Sequence, residues 1–124
     1  MKKIALALLA VALVATGLLI GANTFNAPPT ILHVVTVKWK ADSTAQQQQA
    51  AIDGIKKMAA DVPGLKNIWV KKIKVQPADY SVSFAMEFES KAAFDAYTNS
   101  AAHKAWEKLY LPLREESHTQ DITN

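Results

Sequence analysis

The sequence has no cysteine and only four glycines among its 124 residues. Without cysteine there is no disulfide, no thiolate chemistry, no cysteine-ligated zinc and no lipid-modified N-terminal cysteine. The few glycines form no phosphate-binding loop, and the three histidines show no HxH or HExxH spacing that would predict a metal site. We therefore expect no metal and no cofactor, and a fold stabilised by packing alone.

Net charge is also nearly absent once the N-terminus is set aside. The formal net charge is +3, but Lys2 and Lys3 belong to a segment with the pattern of an export signal. Without them, 12 basic residues face 11 acidic ones. A nearly neutral remainder of roughly 97 residues gives one small domain and no support for nucleic-acid binding.

Residues 1–27 have the pattern of a bacterial secretory signal, because a start with two lysines precedes the apolar run Ile4–Ile20. This run has no polar face, and its 17 residues are also enough to cross a bilayer. We favour a cleaved signal peptide and a periplasmic or secreted protein. The alternative is an uncleaved anchor, in which residues 4–20 hold the domain on the inner membrane. In that case only this segment would contact the membrane. Residues 28–30 form a linker stiffened by two prolines.

Residues 31–124 show the periodicities of alternating strands and helices in the order β-α-β-β-α-α-β. This order, with helices on one face of a four-stranded antiparallel sheet, is the ferredoxin-like α+β arrangement. The predicted strands are Ile31–Lys40, Leu65–Val75, Tyr80–Glu89 and Arg114–Ile122. The predicted helices begin at a capping box of Ser43 with Gln46 and end at about Val62, span Lys91–Tyr97, and run from a Ser100 cap to Pro112.

The first strand is apolar on both faces in its first half, as in a strand covered on two sides. One face packs on the helices, and the chain has no spare element for the other. A second copy of the domain is the simplest cover, so we expect a homodimer with two sheets face to face. In the third strand, Tyr80 and Val82 share the core face with Phe84.

Four lysines lie on or near the second predicted strand. If that strand pairs with the first, they would join Lys38 and Lys40 in a basic patch for an anionic ligand. The alternative, which we favour, is that they protect an exposed strand edge. The four are Lys66, Lys71, Lys72 and Lys74.

The segment Phe94–Tyr110, FDAYTNSAAHKAWEKLY, places Tyr97 and His103 on either side of a short break. Histidine titrates near neutrality and can take a proton from carbon beside a carbonyl, while a tyrosine hydroxyl can donate to the enolate oxygen. The structural alternative for His103 is a capping histidine bonded to backbone or to Asp121, and for Tyr97 a half-buried aromatic. Trp106 and Tyr110 are expected in packing.

Over about Ile31–Ile122 the chain resembles the stress-responsive α/β-barrel family, called the Dabb domain. The matching pieces are HVVTVKWK, VPGLKNI, FES and YTNSAAH, in which Ala101 stands where the family commonly has proline. The resemblance implies a dimer that closes an α/β barrel. It also implies site residues, through the polyketide-cyclase type of the family.

On the matching positions, His103 would be the general base and Tyr97 would bind the reacting carbonyl region. His33 and Asp121 match two further polar positions, and the acid looks like a partner that orients the histidine. Phe84 belongs to the core first and would line the pocket second. Val35, on the same strand face as His33, would contact the ligand in that pocket.

Two classes of function stay open. We favour an exported Dabb protein that binds a small organic molecule between helices and sheet, with a cyclase- or lyase-like reaction as a weaker possibility. The alternative is a non-catalytic, structural or stress-protective dimeric protein of the envelope. Whether the protein is an enzyme is open from the sequence.

Overall fold

The computed structural model describes residues 25–124, so most of the predicted export segment lies outside the described residues. Four strands form one antiparallel sheet in the order β2-β3-β1-β4. The ferredoxin-like α+β prediction is confirmed. The elements are β1 Ile31–Trp39, α1 Ala45–Ala60, β2 Leu65–Trp69, β3 Val82–Phe88, α2 Lys91–Thr98, α3 Ala101–Tyr110 and β4 Arg114–Ile122. Between residues 25 and 124, no helix is both long and apolar enough to cross a membrane.

The core lies between the sheet and the three helices. Alternate residues of the two central strands point into it, because side chains alternate across a strand. Val37, Met86 and Phe88 are completely buried there, and Ile55 is the completely buried residue of α1. Tyr97, Trp106 and Tyr110 of α2 and α3 belong to the same cluster.

Serines and a threonine begin the three helices. Ser90 caps α2 and Ser100 caps α3, as their sequence positions predict. The predicted capping box of α1 is wrong by one residue: Thr44 and Gln47 form it, with Thr44 Oγ1 accepting from the Gln47 amide at 3.2 Å. Ser43 is not the cap because its hydroxyl donates to the Lys40 carbonyl at 2.7 Å.

The second strand is shorter than predicted. It ends at Trp69, and residues 71–74, with three of the four lysines, follow as an exposed irregular segment. The strand lies at the edge of the sheet and pairs with β3, not with β1. This agrees with the favoured expectation of an exposed strand edge, and a basic patch around Lys38 is not formed. Lys38 instead pairs with Glu115 at 3.0 Å and Asp79 at 3.5 Å.

Tyr80 does not continue the core face of β3. The strand begins at Val82, and the Tyr80 side chain turns to the other face of the sheet. There its hydroxyl lies 2.7 Å from Nε2 of His118. We call this other face the open face, since no helix among residues 25–124 covers it. Its apolar members include Leu32, Val34, Trp69, Ala85 and Ile122.

Candidate functional site

A cavity of about 160 Å³ lies between α2, α3 and the covered face of the sheet. Five of the six predicted site residues line it, and the sixth, Asp121, is bonded to one of them. The cavity is lined by His33, Val35, Phe84, Tyr97, Thr98, His103, Trp106, Glu107, Tyr110, Leu111, Arg114, Ser117 and Thr119.

His33 and Asp121 form a hydrogen-bonded pair. They are direct neighbours in the register between β1 and β4, and their Nδ1 and Oδ1 atoms are 2.6 Å apart. A carboxylate only accepts, so Nδ1 of His33 carries the hydrogen and Nε2 is left with a free lone pair. The imidazole is 13 % exposed and its ring packs against Phe94 and Tyr97.

His103 is held by the turn between the two helices. Its Nδ1 lies 3.2 Å from the Thr98 carbonyl oxygen, which accepts a hydrogen bond, and its amide donates to the Ser100 cap at 3.1 Å. Nε2 is therefore the basic nitrogen. It lies 3.8 Å from a carboxylate oxygen of Glu107, one helical turn further on. Asp121 thus orients His33, and the backbone orients His103.

Tyr97 is the most buried polar group of the site, with 2 % of its surface exposed. Its ring centre is 4.4 Å from that of His103 and 5.9 Å from that of His33. Burial raises the pKa of Tyr97 well above its ordinary value, and the charges of Glu107 and then of Asp121 act in the same direction. Its hydroxyl stays protonated and can donate a hydrogen bond to a bound molecule.

Eight lining residues were not among the predicted site residues, among them Glu107, Tyr110 and Arg114. Glu107 lies four residues after His103, so helical spacing alone would have placed it on the same face. Tyr110 was expected in packing, and its ring does stack on Trp106 with centres 4.5 Å apart, but it also forms a wall of the cavity. Arg114 begins β4, and only the pairing of that strand with β1 brings it to the site.

Trp106 does pack as predicted, and its indole nitrogen donates to the Ala51 carbonyl at 2.8 Å. Across residues 25–124, no group of three or more histidine, cysteine, aspartate or glutamate side chains is arranged to hold a metal ion. The cavity, with Asp121 bonded to His33, brings together two imidazoles, two phenols, two carboxylates and a guanidinium.

The fold and this cavity define a class: ferredoxin-like α+β domains with a small cavity between the helices and the sheet. Residues 31–124 match the family described as Stress responsive A/B Barrel Domain, or Dabb. The chain belongs to this family, which confirms the resemblance of its motifs. No curated protein is similar enough in sequence to count as a match.

Solved structures share the fold at low sequence identity. A Dabb family protein from Mesorhizobium loti is 23% identical with a TM-score of 0.67, covering 77% of this chain and 96% of that one. A dimeric ferredoxin-like protein of unknown function from Thermobifida fusca is 19% identical with a TM-score of 0.69, covering 82% and 97%. A hydroxynitrile lyase from Passiflora edulis is 18% identical with a TM-score of 0.63, covering 77% and 93%. These identities show the fold alone.

Proposed function

We propose that this Dabb protein binds a small organic molecule in the cavity between α2, α3 and the sheet. One observation carries the proposal: His33, His103 and Tyr97 converge on the same cavity, and each imidazole has its Nδ1 engaged while its Nε2 makes no hydrogen bond within residues 25–124. Imidazoles that only satisfied the fold would not need to share a cavity with a buried phenol. Few, convergent polar groups on aromatic walls are typical of a ligand site.

The chemistry that this arrangement supports is removal of a proton from carbon beside a carbonyl. His103 Nε2 would take the proton, and the Tyr97 hydroxyl, like any tyrosine protonated at neutral pH, would donate to the carbonyl oxygen as negative charge develops there. The His33–Asp121 pair would supply a second base or donor. The Passiflora edulis neighbour, described as a lyase, is compatible with such acid–base chemistry on this fold.

Binding is tested with a set of small aromatic and carbonyl compounds added to the purified protein, followed through the NMR signals of its three imidazoles. A ligand of the cavity moves the His33 and His103 signals and leaves those of His118, on the open face, in place. His103→Ala and Tyr97→Phe should each weaken binding about tenfold or more, as expected for loss of a hydrogen bond in a dry site.

His118→Ala and Tyr80→Phe are the matched controls, since they remove the same groups from the open face. The second candidate function, a non-catalytic dimeric envelope protein, predicts a different pattern. For such a protein, the cavity variants change only the melting temperature. Either no compound binds, or the compounds that bind do so with the same affinity in His103→Ala and Tyr97→Phe as in the unchanged protein. That pattern would overturn the ligand-binding proposal.

We also infer a homodimer and export. The apolar side chains of the open face, including a Trp69 that is 49 % exposed, would be covered by a second copy, and neighbours with this fold are described as dimeric. The segment before residue 28 would be a signal peptide, or an anchor in the inner membrane. Cell fractionation with the N-terminal mass tests this: a shortened periplasmic chain supports cleavage, a full-length membrane-bound chain supports the anchor, and a full-length cytosolic chain contradicts both.

A further inference from the structure

Arg114 gives the cavity a positively charged end that no proposed step of acid–base chemistry uses. It is the first residue of β4 and lies opposite Trp39, where the register between β1 and β4 shifts. The half-buried side chain lines the cavity, and its guanidinium carbon stands 5.6 Å from the centre of the Tyr110 ring. The aromatic ring thus fixes the guanidinium against the wall.

Most hydrogen-bond donors of Arg114 are unused. A guanidinium carries five N–H groups, and within residues 25–124 its one hydrogen bond is from Nη1 to the Ser117 hydroxyl at 3.3 Å. In the same part of the chain, no carboxylate oxygen lies within 4 Å of it. Half-buried cations of this kind are strongly stabilised by a carboxylate that accepts two of these N–H groups.

The carboxylates of the site lie with the imidazoles. Asp121 is bonded to His33, and Glu107 lies 3.8 Å from His103. An anionic group is therefore repelled where the histidines are and attracted at Arg114. Between them stand the aromatic walls of Phe84, Trp106 and Tyr110. A cavity of about 160 Å³ suits a benzene-sized ring or a short acyl chain.

From this charge distribution, and resting on the proposed function, we propose that the ligand is a small carboxylate. Its carboxylate group binds the Arg114 guanidinium, its apolar middle lies against the aromatic wall, and its other end reaches Tyr97 and His103. The ligand class is thus a carboxylic acid with a second polar or carbonyl group about one ring or short chain away.

Benzoate and benzamide are the matched probes, because they have the same shape and differ in charge. Calorimetric titration of the full chain should show benzoate binding about tenfold or more tightly than benzamide, as expected for a charge-assisted hydrogen bond. Benzoate should also move the His33 and His103 imidazole signals. Arg114→Gln should bring benzoate to the affinity of benzamide, and Arg114→Lys, which keeps charge without the fork, should lie between them.

Lys104→Gln is the control, since it removes one positive charge from exposed surface beside His103 without touching the cavity. Its benzoate affinity should equal that of the unchanged protein. The proposal is overturned if benzoate and benzamide bind alike, if Arg114→Gln keeps the preference in a folded protein, or if benzoate does not bind up to its solubility. In each of these cases the proposed function stands or falls separately, on the wider compound set and on the His103 and Tyr97 variants.

Discussion

Each side of the sheet has a histidine beside a tyrosine, and the two pairs differ in the hydrogen bonds that their polar atoms already make. On the covered face, Tyr97 and His103 are almost enclosed, with the imidazole 12 % exposed. On the open face, His118 is 63 % exposed and its Nε2 is 2.7 Å from the Tyr80 hydroxyl and 3.3 Å from Glu116. The open pair satisfies itself, whereas the covered pair keeps Nε2 available.

This difference teaches where function is to be sought. Asp121 holds Nδ1 of His33, and the Thr98 carbonyl holds Nδ1 of His103. In both cavity imidazoles Nε2 makes no hydrogen bond among the described residues. Enclosure by Phe84 and Trp106 lowers the local dielectric and strengthens any bond made there.

The largest expected effect separates the two faces by stability. Phe88→Ala removes a completely buried ring that packs on Phe94 and Tyr97, and should lower the free energy of unfolding by about 3–5 kcal/mol. Gln120→Ala on the open face should change it by less than about 0.5 kcal/mol. Denaturant unfolding measures both, and equal losses would contradict the placement of the core.

A charge on the open face tests whether a second copy covers it. Val34→Glu places a carboxylate among half-buried apolar residues and, in a dimer with two sheets face to face, should weaken association by more than about 3 kcal/mol, or over 100-fold. Lys56→Glu on exposed α1 is the control and should leave association unchanged. Light scattering over a concentration series gives the answer. A protein that is monomeric before mutation, or a variant that stays dimeric, would refute the face-to-face arrangement.

Alkaline pH should distinguish the two tyrosines. The pKa of Tyr97 is raised by burial, so its contribution to stability is complete below the unfolded pKa near 10 and is lost as pH rises. The loss approaches about 1.4 kcal/mol per pH unit until the folded pKa is reached. Tyr97→Phe should make the melting temperature fall less steeply between about pH 10, the unfolded pKa, and about pH 11.5. The pKa of Tyr80 is also raised, by burial and then by a hydrogen bond with Glu116, but less strongly. Tyr80→Phe should therefore flatten the fall less, and the reverse order would contradict the larger shift at Tyr97.

The smallest expected effect is acidic. Hydrogen bonds from Asn67 and Thr30 lower the pKa of Glu87 on the open face. This stability is present above the ordinary carboxyl pKa of about 4.3 and is lost as pH falls through the lowered value. Glu87→Gln should make the melting temperature slightly less sensitive to acid, while Glu89→Gln should not. Thermal melts below about pH 5, where carboxyl groups titrate, compare the melting temperatures of the two variants.

Local signals explain the parts of the fold that sequence reasoning predicted well. Ser90 and Ser100 cap their helices because each side chain reaches an amide three residues on, a contact that needs no distant partner. The same local chemistry produced the error at α1, where Ser43 and Thr44 are both competent caps. The bond from Ser43 to the Lys40 carbonyl decides between them, and that bond depends on how the chain leaves β1.

Other errors come from interactions far along the chain. Alternation continues through Tyr80 and past Trp69, but β3 stops pairing with β1 at Val82 and β2 stops pairing at Trp69, although β1 and β3 both run on beyond these points. Tyr80 then turns towards His118, which is 38 residues away. The position of Arg114 in the cavity could not be predicted for a related reason. A polar residue at the start of a strand is not assigned to a cavity by its sequence, and only the pairing of β4 with β1 places it there.

The sequence by itself determined the order of the elements, the amphipathic faces, and the pairing of Tyr97 with His103 across a short break, because caps, periodicity and neighbouring turns are local. Only the tertiary structure decided that Asp121 orients His33, that the Thr98 carbonyl orients His103, and that Arg114 completes the cavity. These contacts join strands at opposite ends of the chain, and their geometry is set by the β1–β4 register, which the side chains of neither strand specify alone.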